Sequence, residues 1–120
     1  MNIRESAEDY LEAILMLHQQ KGYARSVDIA AMLNVTKPSV SIAMKRLREN
    51  GYIEMDKDSL ITLTAAGMQI AQKIYTRHKV IRQFLMQIGV NESDAGVDAC
   101  EIEHVISPAT FEAILGQLRS

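Results

Sequence analysis

The chain has 120 residues, 48% of them hydrophobic and 23% charged, with a net charge of -2 and one cysteine. That length allows one compact core, or a small domain with a helical extension, and excludes a second full domain. The composition excludes a disordered chain, no apolar run reaches the roughly 18 residues of a membrane span, one cysteine excludes an internal disulfide, and the global charge argues against a nucleic-acid binder.

The charge is unevenly spread, however. Residues 21–50 carry six bases (Lys21, Arg25, Lys37, Lys45, Arg46, Arg48) against Asp28 and Glu49, and residues 65–86 carry four bases and no acid. The first 20 residues sum to -3 and the last 34 to -5. The middle of the chain suits a polyanion, and the two acidic ends could be held together by a cation. The opening "MNIRESAEDY" has no apolar signal core and the cysteine is unpaired, so a reducing, cytoplasmic location is expected.

In chain order, the first predicted helix runs from about Ala7 to Gln20 with Ser6 as its N-cap, placing Tyr10, Ala13, Ile14 and Leu17 on one face. Asp9 and Glu12, three residues apart, lie together beside that face. A short helix from Ser26 to Leu33 follows. A turn over Asn34–Thr36 leads into a second helix that starts near Lys37 and Pro38 and ends at Asn50, with Gly51 as its stop. Next, "YIEMDKDSLITLT" alternates apolar and polar residues around Asp56–Ser59, as a two-stranded hairpin does. Thr64 caps a long helix ending near Ile88, and two shorter helices are expected over about Ser93–Ile106 and Pro108–Leu118.

The order of short helix, three-residue turn, second helix and hairpin is that of a winged helix-turn-helix, which lays its second helix in the DNA major groove. Thr36, Lys37, Pro38, Ser39 and Ser41 fall at the end of that helix facing bases and phosphates. Lys45, Arg46 and Arg48, with Arg25 before the short helix, can neutralise phosphates along the flanks. The tip of the wing is acidic, with Asp56 and Asp58 around Lys57, so wing-to-phosphate contact is not expected.

A second constellation lies in "DACEIEHVI". Cys100, Glu103 and His104 at i, i+3 and i+4 project from one helical face and could seat a metal ion. Each candidate also has a plain structural explanation: a buried cysteine acts as a small hydrophobe, acids in a first helical turn complement the helix dipole, and His78 can be a surface histidine. His18 has no evident partner. Glu101 and His104 have the Glu-x-x-His spacing of di-iron bundles, but no second copy exists, and a Cys100–His104 nucleophilic pair lacks an orienting group, so catalysis is not expected.

Taken together, "AEDYLEAIL", "SVDIAAMLNVTKPSVS", "LITLTAAG", "RHKVIRQFL" and "DACEIEHVIS" resemble, in order and spacing, the diphtheria toxin repressor and manganese transport regulator family of metal-activated transcription factors, over residues 5 to about 108. By position, Asp9 and Glu12 match acidic ligands of the manganese branch, His78 matches a histidine ligand of both branches, and Glu103 and His104 match ligands common to the family. Cys100 is similar to the iron branch. Arg82 and Gly96 stand where that branch has two ancillary ligands, and Ile42 replaces a polar recognition-helix residue of the toxin repressor. The third, SH3-like domain of longer relatives has no counterpart.

The resemblance implies a mainly α protein: a winged helix-turn-helix DNA-binding domain over residues 1–64, then a helical metal-binding and dimerisation domain over 65–120. It further implies a homodimer on a double-stranded DNA operator, repressing metal-homeostasis genes, with metal as corepressor. The ion would tie the first helix to the later ones and so set the spacing of the two recognition helices. Oxygen and nitrogen donors favour Fe(II) or Mn(II), while the Cys100 sulfur leaves Co(II), Ni(II) and Zn(II) open. Two other readings stand beside this one, a winged-helix regulator sensing a thiol oxidant or small ligand through Cys100, and a metal-storage or metalloenzyme bundle.

Overall fold

The computed structural model describes the backbone of residues 3–119 and the side chains of residues 7–119. Among the described residues are six helices and one two-stranded sheet: α1 (Ile3–Lys21), α2 (Ser26–Leu33), α3 (Lys37–Glu49), β1 (Ile53–Met55), β2 (Ile61–Leu63), α4 (Ala65–Gln87), α5 (Glu92–Ile102) and α6 (Pro108–Arg119). The chain is therefore mainly α, as expected. It divides into two compact units, Met1–Gln72 and Lys73–Ser120, with the division falling inside α4.

In the first unit α1 begins a turn earlier than expected, because residues 3–6 contain no helix breaker; Ser6 thus lies within the helix, and its side chain is outside the described part. Tyr10, Ala13, Ile14 and Leu17 are buried as their spacing predicts, and so are Leu11 and Leu15. A burial wider than one stripe marks α1 as a central helix, packed on α2, α3 and β2. His18 is not idle: its Nε2 lies 2.8 Å from the Ile61 carbonyl. A carbonyl can only accept, so Nε2 carries the proton and ties the end of α1 to β2.

The helix-turn-helix forms at the predicted boundaries. Asn34 closes α2 in the left-handed region (φ 55°), its N–H bonded to the Ala30 carbonyl, which a short polar side chain tolerates better than a branched one. Thr36 then caps α3, its Oγ1 accepting the Ser39 N–H at 3.2 Å, and Pro38 occupies the first turn, where a missing N–H costs nothing. Val40, Met44 and Leu47 form the buried stripe of α3. Gly51, at φ 79°, turns the chain into the hairpin.

The strands pair antiparallel in the register Ile53↔Leu63, Glu54↔Thr62, Met55↔Ile61. Ile53 and Ile61 point into the core. At the wing tip Asp56 is occupied by its own turn: Oδ1 accepts the N–H groups of Asp58 (2.8 Å) and Leu60 (3.0 Å). The Asp56 carboxylate at the tip is thus turn chemistry. Thr64 caps α4 by accepting the Gly67 N–H at 3.2 Å.

In the second unit Ile74 and Ile81 of α4 and Ala95 and Ala99 of α5 are buried. Asn91 caps α5, accepting the Asp94 N–H at 2.8 Å, and Ser107 caps α6 through the Thr110 N–H at 3.1 Å. α5 ends at Ile102, a full turn before the predicted Ile106. Beyond it the backbone tightens, with Val105 N–H bonding the Ile102 carbonyl at 3.0 Å. Arg77 holds the turn that follows: from α4, its Nη1 donates to the carbonyls of Glu103 and Ile106, each at 3.3 Å. A buried guanidinium satisfies carbonyls that a longer helix would have to reorient.

Candidate metal centre and nucleic-acid interface

Three of the six candidate ligands converge in the second unit. α5 ends at Ile102, with Glu103 still in helical conformation at its C-cap and His104 in the following turn, which keeps Cys100 and Glu103 at helical spacing. Donor atoms of His78, Cys100 and Glu103 all lie within 4.8 Å of one another. His78 Nδ1 is 3.0 Å from Glu103 Oε2 and 3.8 Å from Cys100 Sγ. His104 Nε2 is 3.5 Å from the other carboxylate oxygen, Glu103 Oε1.

Glu103 is the centre of this group, with no exposed side-chain surface, and its Oε1 has no hydrogen-bond partner among the described residues. A buried carboxylate with an unsatisfied oxygen is costly unless a cation or proton meets it. A divalent metal fits that need, with imidazole nitrogen, thiolate sulfur and carboxylate oxygen as donors. Cys100 is exposed rather than a buried hydrophobe, so its sulfur is accessible. The Cys100 sulfur and the Glu103 carboxylate raise the His78 pKa from 6.5 to about 10 against the opposing effect of burial. This pairing engages Oε2 and leaves Oε1 without a hydrogen bond among the described residues.

Asp9 and Glu12 lie on α1 in the first unit, Asp9 partly exposed and Glu12 buried. At the positions of the two ancillary ligands, Arg82 donates from Nη2 to Glu92 Oε1 at 2.6 Å, and Gly96 offers no side chain. A guanidinium paired with a carboxylate is a poor neighbour for a second cation. Sequence reading missed Arg77, which is 8% exposed and holds the turn carrying Glu103 and His104. Its only signal was an arginine next to a candidate ligand.

In the first unit every predicted DNA-facing residue is exposed: Arg25 before α2, Thr36 at the cap, and Lys37, Pro38, Ser39, Ser41, Lys45, Arg46 and Arg48 along α3. Thr36 donates to Ser39 Oγ at 2.8 Å as well as capping the helix, which fixes the two hydroxyls at its start. Arg25 stacks over the Tyr23 ring at 5.9 Å. Ser41, Lys45 and Arg48 line an open cleft of about 370 Å³ with Ser26 and Ser59. Hydroxyls at the helix start with cations on its flanks form the contact set that positions a helix against phosphates. No helix among the described residues is long and apolar enough to cross a membrane.

Residues 2–60 match the family model described as iron dependent repressor, N-terminal DNA binding domain, and residues 64–119 the iron dependent repressor, metal binding and dimerisation domain. The chain is 41% identical over 110 residues to the transcriptional regulator MntR of Escherichia coli O6:H1, covering 92% of this chain and 71% of that protein. Among solved structures it superposes on IdeR of T. acidophilum (TM-score 0.85, 27% identity, 94% of this chain, 54% of that one) and on the manganese regulator SloR (TM-score 0.83, 28% identity, 94% and 53%). The chain thus spans about half the length of those solved proteins. Two family models that together span nearly the whole chain, with a relative 41% identical over 92% of it, show that it belongs to the iron dependent repressor family, whose members are metal-responsive DNA-binding transcriptional regulators and not enzymes.

Proposed function

We propose that the chain is a cytoplasmic, homodimeric repressor of metal-homeostasis genes that binds a double-stranded DNA operator when a divalent transition metal, Fe(II) or Mn(II), is bound as corepressor. The observation that supports this reading is the convergence of donor atoms from His78, Cys100 and Glu103 in a chain whose other unit presents a cationic reading helix. The buried Glu103 carboxylate pairs with His78 through Oε2 and keeps Oε1 without a hydrogen bond among the described residues. Asp9, Glu12 and His104 complete the proposed ligand set, Asp9 and Glu12 on the resemblance alone. Thr36, Lys37, Pro38, Ser39, Ser41, Lys45, Arg46, Arg48 and Arg25 form the proposed DNA face.

His78, Cys100 and Glu103 would hold the ion, which would supply positive charge to the buried carboxylate. His78 would have to be deprotonated to do so, and the Cys100 sulfur would bias the site toward Fe(II) over Mn(II). Metal acts as corepressor through differential affinity: if about 1% of metal-free molecules are DNA-competent, tighter metal binding to that form gains up to about a hundredfold in apparent operator affinity. The likeness of the chain to SloR, a manganese regulator, supports manganese as the alternative to iron.

The test is a panel of Mn(II), Fe(II), Co(II), Ni(II) and Zn(II), read out as affinity for a duplex enriched from a random pool by the metal-loaded chain. The reading requires tighter binding with Fe(II) or Mn(II), weakened steeply by salt. Equal affinity with and without every ion contradicts it.

A further inference from the structure

We infer that Ile42 sets operator sequence by packing on the 5-methyl group of a base in the major groove, a thymine in ordinary DNA. The inference rests on the proposed DNA reading and adds to it the residue and the chemical group that are read.

Val40, Met44 and Leu47 define the buried stripe of α3. At 3.6 residues per turn Ile42 falls roughly 165° from the centre of that stripe, at the outermost line of the helix. Its exposure is 57%. Lys45 and Arg46, one turn on, lie about 60° and 40° to either side of it, and Ser39 and Ser41 precede it. The sixth residue of a thirteen-residue helix is in the half whose side chains approach base edges.

Ile42 stands at the open rim of a cleft that Tyr10 and Leu47 also line, yet more than half of its surface stays exposed, and a branched residue is a poorer helix former than the alanine, lysine or arginine found beside it. A cationic face set with hydroxyls suits DNA, yet its most forward point is apolar. At major-groove base edges the apolar group on offer is the thymine C5-methyl, so an aliphatic side chain reads thymine where a polar one reads hydrogen-bonding groups. Burying one methyl against such a side chain contributes a factor of about four in affinity.

The experiment takes the duplex enriched from a random pool by the Mn(II)-loaded chain, and replaces each thymine in turn by deoxyuridine, which removes only the methyl. The expected result is a loss of about fourfold at one or two thymines per half-site. At those positions cytosine should bind less well than 5-methylcytosine. Ile42→Ala, at an exposed position that leaves the core intact, should retain metal-dependent binding and lose the methyl dependence; Ile42→Gln should shift the preferred base on reselection. Methyl dependence that persists in Ile42→Ala, or affinity indifferent to deoxyuridine at every site, overturns the inference while leaving the DNA reading intact. Failure to enrich any duplex overturns both.

Discussion

His78 Nδ1 stands 3.0 Å from Oε2 of Glu103, a carboxylate without exposed side-chain surface. A charge so placed needs a counter-charge, and in the metal-free protein the protonated imidazole supplies it. Because the folded pKa of His78, about 10, lies above the ordinary 6.5, its contribution to stability is full below about pH 6.5 and is lost as pH rises toward 10. Metal competes for the same nitrogen, so metal affinity should rise with pH over that interval, with proton release. NMR titration of metal-free Cys100→Ser and Glu103→Gln variants should each show His78 titrating closer to 6.5; a midpoint that stays near 10 in both contradicts this pairing.

Arg77→Met keeps the aliphatic stem and removes the donors that hold the Glu103 and Ile106 carbonyls. Leaving buried acceptors without partners costs about 2 kcal/mol. Urea unfolding should report that loss, and metal titration should show weaker binding although Arg77 is not itself a ligand. Unchanged metal affinity alongside the lost stability would remove Arg77 from the support of the site.

Cys100→Ser replaces a soft donor by a hard one. The Co(II) complex should lose its near-ultraviolet sulfur-to-metal absorption, and Zn(II) affinity should fall by a larger factor than Mn(II) affinity. A Co(II) spectrum identical to that of the parent chain would show that the sulfur does not bind metal.

Gly67→Ala tests the first unit. A Cβ there would clash with the Tyr52 carbonyl oxygen, a backbone atom with no rotamer to escape into, while the same carbonyl accepts the Thr64 N–H at 3.1 Å. The expected cost is about 1–3 kcal/mol, the range for overpacking, seen as a lower thermal midpoint. A neutral result would mean that the start of α4 can shift freely.

Much of this was legible in the sequence because it is local. Caps and turns at Asn34, Thr36, Pro38 and Gly51 fix the helix-turn-helix from short-range chemistry, and period-two alternation finds the hairpin. The end of α5 was not legible. Val105 and Ile106 continue an apolar helical pattern, and the carbonyls of the turn that replaces it are held by Arg77, 26 residues before Glu103 in the chain. His18 and Ile61, 43 residues apart, illustrate the same limit. In the site, Cys100 and Glu103 could be singled out by type and spacing and His78 only by the family resemblance, but the burial that makes Glu103 its centre is a property of the packed second unit.

The most direct measurement compares one enriched duplex against the parent chain and Glu103→Gln, with and without Mn(II) or Fe(II), and then after chelation. The parent should bind at least about tenfold more tightly with metal and return to its starting affinity with chelator, a gain well inside the two-state limit. Glu103→Gln should stay at the metal-free affinity throughout. A parent chain indifferent to chelation, or a Glu103→Gln variant that responds to metal as fully as the parent, would contradict the account.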